Sequence, residues 1–163
     1  MHQHIEIPQD RQEAYDLLVV QVKAILADEN DLIANLANVS AVLFEFINDI
    51  NWVGFYLIKG DDLVVGPFQG KVACSRIPLY KGVCGKAVKD NKMINMENVH
   101  QFEGHIACDS ASNSEIVFPL FVNNTVIGVL DIDSPKFNRF DKIDEDNLQK
   151  VVTEITKKLS DSF

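Results

Sequence analysis

The chain has 163 residues, enough for one ordinary domain and too few for two. Hydrophobic residues make up 47% and charged residues 24% of it, the balance of a globular domain rather than of a disordered segment. Its net charge of −9 would repel nucleic acid and anionic membranes, and no signal peptide or membrane-spanning stretch is visible, so the sequence predicts a cytoplasmic protein that binds neither.

Helical periodicity dominates the start of the chain. Apolar residues recur at intervals of three and four over residues 12–27 and again over residues 31–48, where Asp31 is a candidate N-cap. Both segments are predicted to be amphipathic helices. We expect one domain over residues 1–163, with residues 1–10 as a flexible N-terminus.

A predicted β-hairpin follows the two helices. Residues 51–59, NWVGFYLIK, alternate between two faces, and the turn signal KGDD leads into a second strand over residues 63–70. Trp52 and Tyr56 share one face of the first strand. They are either ordinary core aromatics or an apolar wall with a polar tip beside a ligand.

The middle of the chain is less regular. Residues 82–90 predict a short helix with Cys84 in its first turn, and KMINM, residues 92–96, predicts a brief strand. Residues 97–113 show no sustained period. Loops of that length in compact domains tend to be binding or lid segments.

A second hairpin and a last helix complete the chain. The hairpin joins residues 115–122 to residues 126–133 through the turn NNT, and a helical stripe runs over residues 141–159. This order of elements predicts a central sheet of mainly antiparallel hairpins, with the terminal helices on one face. The other face and the irregular loop are left to form a pocket.

The three cysteines, Cys74, Cys84 and Cys108, admit several interpretations. They form no C-x-x-C pair, although His100 or His105 would be able to complete a four-ligand zinc set. Burial as small hydrophobes is the commonest fate of free cysteine. Two observations argue against burial. Cys108 lies in a polar loop, and Cys84 lies between glycines at a helix N-terminus, which would lower the pKa of its thiol. Both cysteines are therefore predicted to be exposed and activated.

Three carboxylates are predicted to converge. Asp131 and Asp133 are two residues apart on a strand and leave the same face, together with Val129 and Ile127, while Glu115 opens the neighbouring strand. Their repulsion would raise at least one pKa unless a cation or a ligand ammonium lay between them. The alternatives are plain solvent exposure at a strand end, or magnesium or calcium binding, although the spacing matches no EF-hand.

Longer motifs carry a resemblance to a known family. The segments NWVGFYL, GPFQGKVACSRIPLYKGVCGKA, HIACDSASNSEIVFPL, GVLDIDSP and FNRFD resemble the free methionine-(R)-sulfoxide reductases, a catalytic branch of the GAF domains, from about residue 13 to residue 159. The resemblance implies an α+β, GAF-like fold with a six-stranded, mainly antiparallel sheet. The N- and C-terminal helices would pack on one face and the ligand pocket would lie on the other, in a homodimer. It also implies an oxidoreductase whose substrate is free methionine (R)-sulfoxide rather than a residue in a protein.

The resemblance implies roles for the cysteines and the aromatic residues. It makes Cys108 the attacking thiolate and makes Cys84 and Cys74 the thiols that resolve it, with Cys74 in the main bridge. Trp52 and Tyr56 would surround the substrate methyl group. The oxidised cysteine would be a sulfenic acid that a second thiol captures as a disulfide.

The resemblance also implies an acidic pocket of three carboxylates. Glu115 or Asp133, kept neutral by burial, would give a proton to the sulfoxide oxygen, and Asp131 would bind the substrate ammonium. Backbone N–H groups around Ile106 and Ala107 are candidates for the substrate carboxylate.

The same resemblance predicts that no metal or organic cofactor is required, because thioredoxin with NADPH would act as the external reductant. Two other classes of function stay open from the sequence. One is a non-catalytic GAF module that senses a small ligand, and the other is a zinc-bound structural protein.

Overall fold

The structure is a computed structural model that describes residues 4–106 and 108–161. Four α-helices and six β-strands make up its regular elements. The helices are α1 (Arg11–Asp28), α2 (Leu32–Phe46), α3 (Gly82–Asp90) and α4 (Lys142–Asp161). The strands are β1 (Trp52–Lys59), β2 (Asp62–Gly70), β3 (Arg76–Pro78), β4 (Ile94–Met96), β5 (Ser114–Val122) and β6 (Thr125–Ser134).

The strands form one sheet in the order β3-β2-β1-β6-β5-β4, and all neighbours are antiparallel. The predicted α+β architecture with a six-stranded sheet is confirmed. The predicted helices are confirmed within a few residues, and Asp31 does cap α2, because its carboxylate accepts a hydrogen bond from the Ala34 N–H at 2.8 Å.

The residue patterns predicted neither β3 nor a short 3₁₀ helix, Val99–Gln101. The 3₁₀ helix lies inside the irregular loop of residues 97–113. Both elements are three residues long, which is too short for a period of two or three to be read. β3 pairs with β2 through Leu63 and Ile77, which are both buried.

The two faces of the sheet bury different clusters. Helices α1, α2 and α4 cover one face, where the main core includes Leu18, Leu36 and Phe118, none more than 1% exposed. Full burial of such side chains contributes about 1.5–3 kcal/mol each. A smaller cluster on the opposite face contains α3 residues together with Trp52 and Tyr56. The alternation predicted for β1 is therefore confirmed.

One residue of β6 departs from the predicted face. Ile127 was expected beside Asp131 and Asp133, but it packs against the main core. The register between β5 and β6 shifts between Leu120 and Phe121, so Ile127 is an extra residue at a bulge. Beyond the bulge the side chains exchange faces, and the prediction for Ile127 is wrong for that reason.

Of the N-terminal residues that the structure describes, Ile5 and Ile7 pack against the main core. The flexibility of residues 1–10 stays a prediction, and residues 1–3 lie outside the described ranges. Within those ranges, the helices are too short or too polar to cross a membrane.

Candidate active site

A pocket opens on the sheet face opposite α1, α2 and α4, and its empty volume, counted with the space at its open mouth, is about 540 Å³. Strands β1, β5 and β6, the start of α3 and the loop before β5 all contribute to its walls. The pocket-lining residues that the sequence predicted for the site are Trp52, Tyr56, Cys84, Ile106, Cys108, Glu115, Asp131 and Asp133. Ala107 lies outside the described residues.

The three carboxylates converge as predicted. Glu115 on β5 pairs with Asp133 on β6, and Val117 pairs with Asp131, so the three acids leave the same face of the sheet. Cys84 enters from α3, with its Sγ 3.8 Å from Glu115 Oε1. Sulfur and carboxylate oxygens of Cys84, Glu115 and Asp131 lie within 4.8 Å of one another, which makes this the polar floor of the pocket.

Burial changes the protonation of these acids. It raises the pKa of the Glu115 carboxyl well above its usual range, and the charges of Asp131 and Asp133 raise it further. Burial likewise raises the pKa of Asp133, with Asp131 and Asp109 adding to the effect, and it raises the pKa of Asp131. Because the groups share their protons, the pocket holds neutral carboxyl groups under conditions where exposed ones are ionised.

The prediction for Cys84 is half right. The residue does lie in the first turn of α3, after Lys81 at the N-cap. Its side chain is buried, however, and burial raises the pKa of the thiol well above its usual value, as do Asp131 and Glu115. The expected exposure and activation are therefore wrong, because desolvation and nearby negative charge outweigh the helix N-terminus.

The other two cysteines form a disulfide bond, with their Cα atoms 5.4 Å apart. Cys108 lines the pocket, whereas Cys74 is half-buried in the loop between β2 and β3. The Tyr56 hydroxyl donates a hydrogen bond of 3.0 Å to the Cys74 carbonyl and so joins this loop to β1. This is the pairing that the resemblance suggested for the main bridge.

The disulfide argues against a zinc site, because it leaves Cys84 as the one free thiol among the three cysteines. In the part of the chain that the structure describes, neither His100 nor His105 joins a cluster with metal-ligand geometry. His100 instead contacts Asn113 at 2.8 Å. A cysteine-histidine zinc site is therefore not assembled by these residues.

The loop that carries Cys108 is tied to the sheet by residues that the sequence analysis did not single out. Asn51 Nδ2 donates hydrogen bonds of 3.0 Å to both Asp109 Oδ2 and Ser112 Oγ. The Asn51 N–H donates to the Asp133 carbonyl at 2.9 Å. Asp109 also accepts a hydrogen bond from the Ala111 N–H, a local turn of the kind that Asp and Ser in the sequence DSAS favour. Asn51 thereby links the thiol loop to the end of the acidic strand.

Two polar atoms in the pocket wall have no hydrogen-bond partner among the described residues. They are Trp52 Nε1 and Asp131 Oδ1, and both are buried. A buried polar atom without a hydrogen bond costs about 1–3 kcal/mol. A ligand that formed a hydrogen bond with either atom would therefore remove that cost. The Trp52 ring itself is held between Tyr56 and Phe68, with ring centroids 5.8 and 5.1 Å away.

Comparison with known proteins agrees with this geometry. Residues 34–159 match the family model described as GAF domain, so the fold and its pocket define a GAF-domain protein. The chain is 54% identical to free methionine-R-sulfoxide reductase of Escherichia coli over 151 residues, covering 93% of this chain and 92% of that protein. It is 35% identical to the protein of the same name from Saccharomyces cerevisiae, covering 91% and 87%.

A solved structure is similar over almost the whole chain. It is the X-ray structure of free methionine-R-sulfoxide reductase from Neisseria meningitidis in complex with its substrate, with a TM-score of 0.94 and 41% identity. The match covers 99% of this chain and 98% of that one. The chain therefore belongs to the free methionine-R-sulfoxide reductases, a family of oxidoreductases with the GAF fold, which confirms the resemblance.

Proposed function

We propose that this protein reduces free L-methionine (R)-sulfoxide to methionine in the pocket described above. The observation that carries the proposal is that Cys108, which forms a disulfide, lines the same pocket as the buried carboxyl groups of Glu115 and Asp131 and the half-buried one of Asp133. The names of the relatives support the substrate class.

Specificity for the free amino acid follows from charges in the pocket. The unpaired Asp131 Oδ1 would accept a hydrogen bond from the substrate ammonium, and backbone N–H groups near Ile106, which lines the pocket, would bind its carboxylate. The Trp52 and Tyr56 rings would contact the methyl group. A methionine sulfoxide residue inside a protein lacks both charges and would leave these partners unpaired.

The chemistry requires a proton donor and a thiolate. Glu115 or Asp133, kept neutral by burial, gives a proton to the sulfoxide oxygen, which makes the sulfur electrophilic. The Cys108 thiolate attacks, oxygen passes to its sulfur, and methionine leaves with a sulfenic acid remaining on Cys108. The Cys74 thiol then attacks that sulfur, forming the disulfide and releasing water.

Two electrons from outside the chain must reduce the disulfide before the next turnover. We assign this step to thioredoxin, which NADPH keeps reduced through its own reductase, so the cycle needs no bound metal or organic cofactor. Such a cycle suits the cytoplasm, where thiols are kept reduced. The homodimer stays a prediction.

A coupled assay tests the proposal. Wild-type protein, thioredoxin, its reductase and NADPH should consume NADPH with free methionine (R)-sulfoxide. They should consume little with the (S) isomer or with the N-acetylated amide of the (R) isomer, which has the same sulfoxide without the two charges. Cys108→Ser should abolish consumption.

No NADPH loss with the wild type, or a loss that Cys108→Ser leaves unchanged, would contradict the proposal. A non-catalytic sensor would instead bind the sulfoxide, as calorimetry would detect, and would consume no NADPH.

A further inference from the structure

Charge is unevenly distributed along this acidic chain. Between Asp62 and Asp90, residues 63–89 contain none of the chain's 24 acidic residues, although its net charge is −9. The basic residues in this stretch are Lys71, Arg76, Lys81, Lys86 and Lys89. The same stretch contains Cys74, so one sulfur of the disulfide lies in the locally basic part of an acidic protein.

Part of this stretch forms an exposed surface beside the pocket mouth. We call it the Cys74 rim and define it as Lys71, Val72, Tyr80 and Lys81. Val72 is 88% exposed, the highest value among the exposed large hydrophobic residues of the described ranges, and Tyr80 next to Lys81 is 57% exposed. Val72 and Lys81 also border the pocket that Cys108 lines.

The two rim lysines differ from Arg76 and Lys86 in the same stretch. Arg76 forms an ion pair with Asp62 at 3.1 Å, and Lys86 forms one with Asp90 at 2.7 Å. Lys71 and Lys81 have no ion-pair partner within residues 4–106 and 108–161. Their charges are therefore free to act on an approaching molecule.

The rim also adjoins the Cys74 side of the disulfide, which does not line the pocket. Cys108 lines the pocket, where the substrate would lie, whereas Cys74 does not, and Val72, Ser75 and Arg76 near Cys74 are exposed. A protein reductant is too large to enter the pocket and must attack from outside. Cys74 is therefore the sulfur that such a reductant reaches.

We propose that the Cys74 rim is the docking surface for the protein dithiol that reduces the Cys74–Cys108 disulfide, and that this partner presents an acidic, partly apolar face around its attacking cysteine. The inference rests on the proposed function, which requires such a reductant. Opposite charge on the two surfaces would speed their encounter, and the exposed Val72 and Tyr80 would be covered on docking.

The exchange proceeds in two steps. The partner's thiolate attacks Cys74 Sγ, the Cys74–Cys108 bond breaks, and Cys108 leaves as the thiolate needed for the next turnover. The partner's second thiol then attacks the mixed disulfide, which releases Cys74 and leaves the partner oxidised. Two electrons pass from the partner's dithiol to the two cysteines; one of its protons goes to Cys74, and the other is released to solvent when the attacking thiolate forms.

A charge reversal tests the docking surface. Lys71→Glu should lower kcat/KM for thioredoxin by roughly tenfold at low salt, because electrostatic steering is lost. Turnover driven by dithiothreitol, a small reductant that needs no docking surface, and the KM for methionine sulfoxide should stay unchanged. The matched control is Lys150→Glu, an equal change of charge at an exposed position on α4, which should leave all three values unchanged. Added salt should reduce the difference between wild type and Lys71→Glu.

A trapping experiment tests which sulfur is attacked. Thioredoxin that lacks its second cysteine should accumulate as a mixed disulfide with Cys74, identified by mass spectrometry of the linked peptides. A link to Cys108 or Cys84 would overturn the inference.

The remaining outcomes separate the two proposals. If dithiothreitol supports turnover but thioredoxin does not, or if Lys71→Glu matches the wild type, the docking surface is wrong while the proposed function stands. If neither reductant supports turnover, the proposed function itself fails. If Lys71→Glu changes the sedimentation coefficient, the rim is a contact between copies of this chain, and the inference is overturned.

Discussion

The three cysteines fall into two environments, a disulfide and a buried free thiol. Cys74 and Cys108 are joined and half-buried, while Cys84 is buried against Glu115. The thiolate is the reactive form of cysteine, and both burial and nearby acids disfavour it at Cys84. The Cys84 thiol should therefore react slowly with reagents in solution.

We predict that the native, oxidised protein reacts with Ellman's reagent at pH 7 roughly a hundredfold more slowly than a small thiol does, because only Cys84 is free and its pKa is raised. The same sample in guanidinium chloride should release one equivalent of colour per chain at the rate of an exposed thiol. The Cys84→Ala variant, as a control, should release none. Rapid reaction of the native protein would show that Cys84 is accessible.

At the scale of elements, strand β1 connects the core to the pocket. Its alternate side chains enter the main core on one face and support the pocket on the other. Gly54 lies between Trp52 and Tyr56 on the pocket face and is paired with Phe68 on β2. A Cβ atom at Gly54 would lie 2.3 Å from Phe68 Cβ, so β1 and β2 can approach this closely only because the residue is glycine.

Gly54→Ala should therefore lower the free energy of unfolding by about 1–3 kcal/mol, the usual cost of overpacking, and should raise the KM for methionine sulfoxide because Trp52 and Phe68 are displaced. Chemical denaturation and steady-state kinetics measure the two effects. Gly60→Asn is the matched control, since that glycine has a φ of 62°, which asparagine tolerates, and no neighbour within 4 Å. A Gly54→Ala protein as stable as the wild type would contradict this account of the strand pair.

At the scale of the whole molecule, the buried acids make stability depend on pH. In the unfolded chain the Glu115 carboxyl ionises near its ordinary pKa of about 4.3, whereas in the folded protein burial raises its pKa well above that. Between the two pKa values the folded state binds more protons, so the free energy of unfolding falls as the pH rises. The contribution is fully present below the unfolded pKa and is lost as the pH rises through the folded pKa.

We predict that Glu115→Gln has nearly the stability of the wild type at pH 4 but is more stable by about 1 kcal/mol at pH 8, because the amide needs no proton to remain neutral. Denaturant unfolding of the oxidised proteins at both pH values measures the difference. Glu97→Gln, at an exposed position, should show no such pH-dependent gain. A Glu115→Gln protein less stable than the wild type at pH 8 would show that the ionised carboxylate stabilises the fold.

The sequence by itself determined the helices, the two main hairpins and the convergence of Glu115, Asp131 and Asp133. These features depend on local periods of two and 3.6 residues and on a short turn, which a sequence displays directly. The sequence did not predict the β5–β6 bulge, β3, the 3₁₀ helix or the hydrogen bonds of Asn51 to the Cys108 loop, because the local signals for these features are short or shared with ordinary loops.

Only the tertiary structure decided the chemistry of the thiols. Patterns around the cysteines left their pairing open, since Cys74 and Cys108 are 34 residues apart and their proximity depends on how β2, β3 and the loop before β5 pack. The helix N-terminus predicted an activated Cys84, but the acids that raise its pKa come from β5 and β6. A pKa depends on burial and on charges from distant segments, and neither is present in a sequence until the chain is folded.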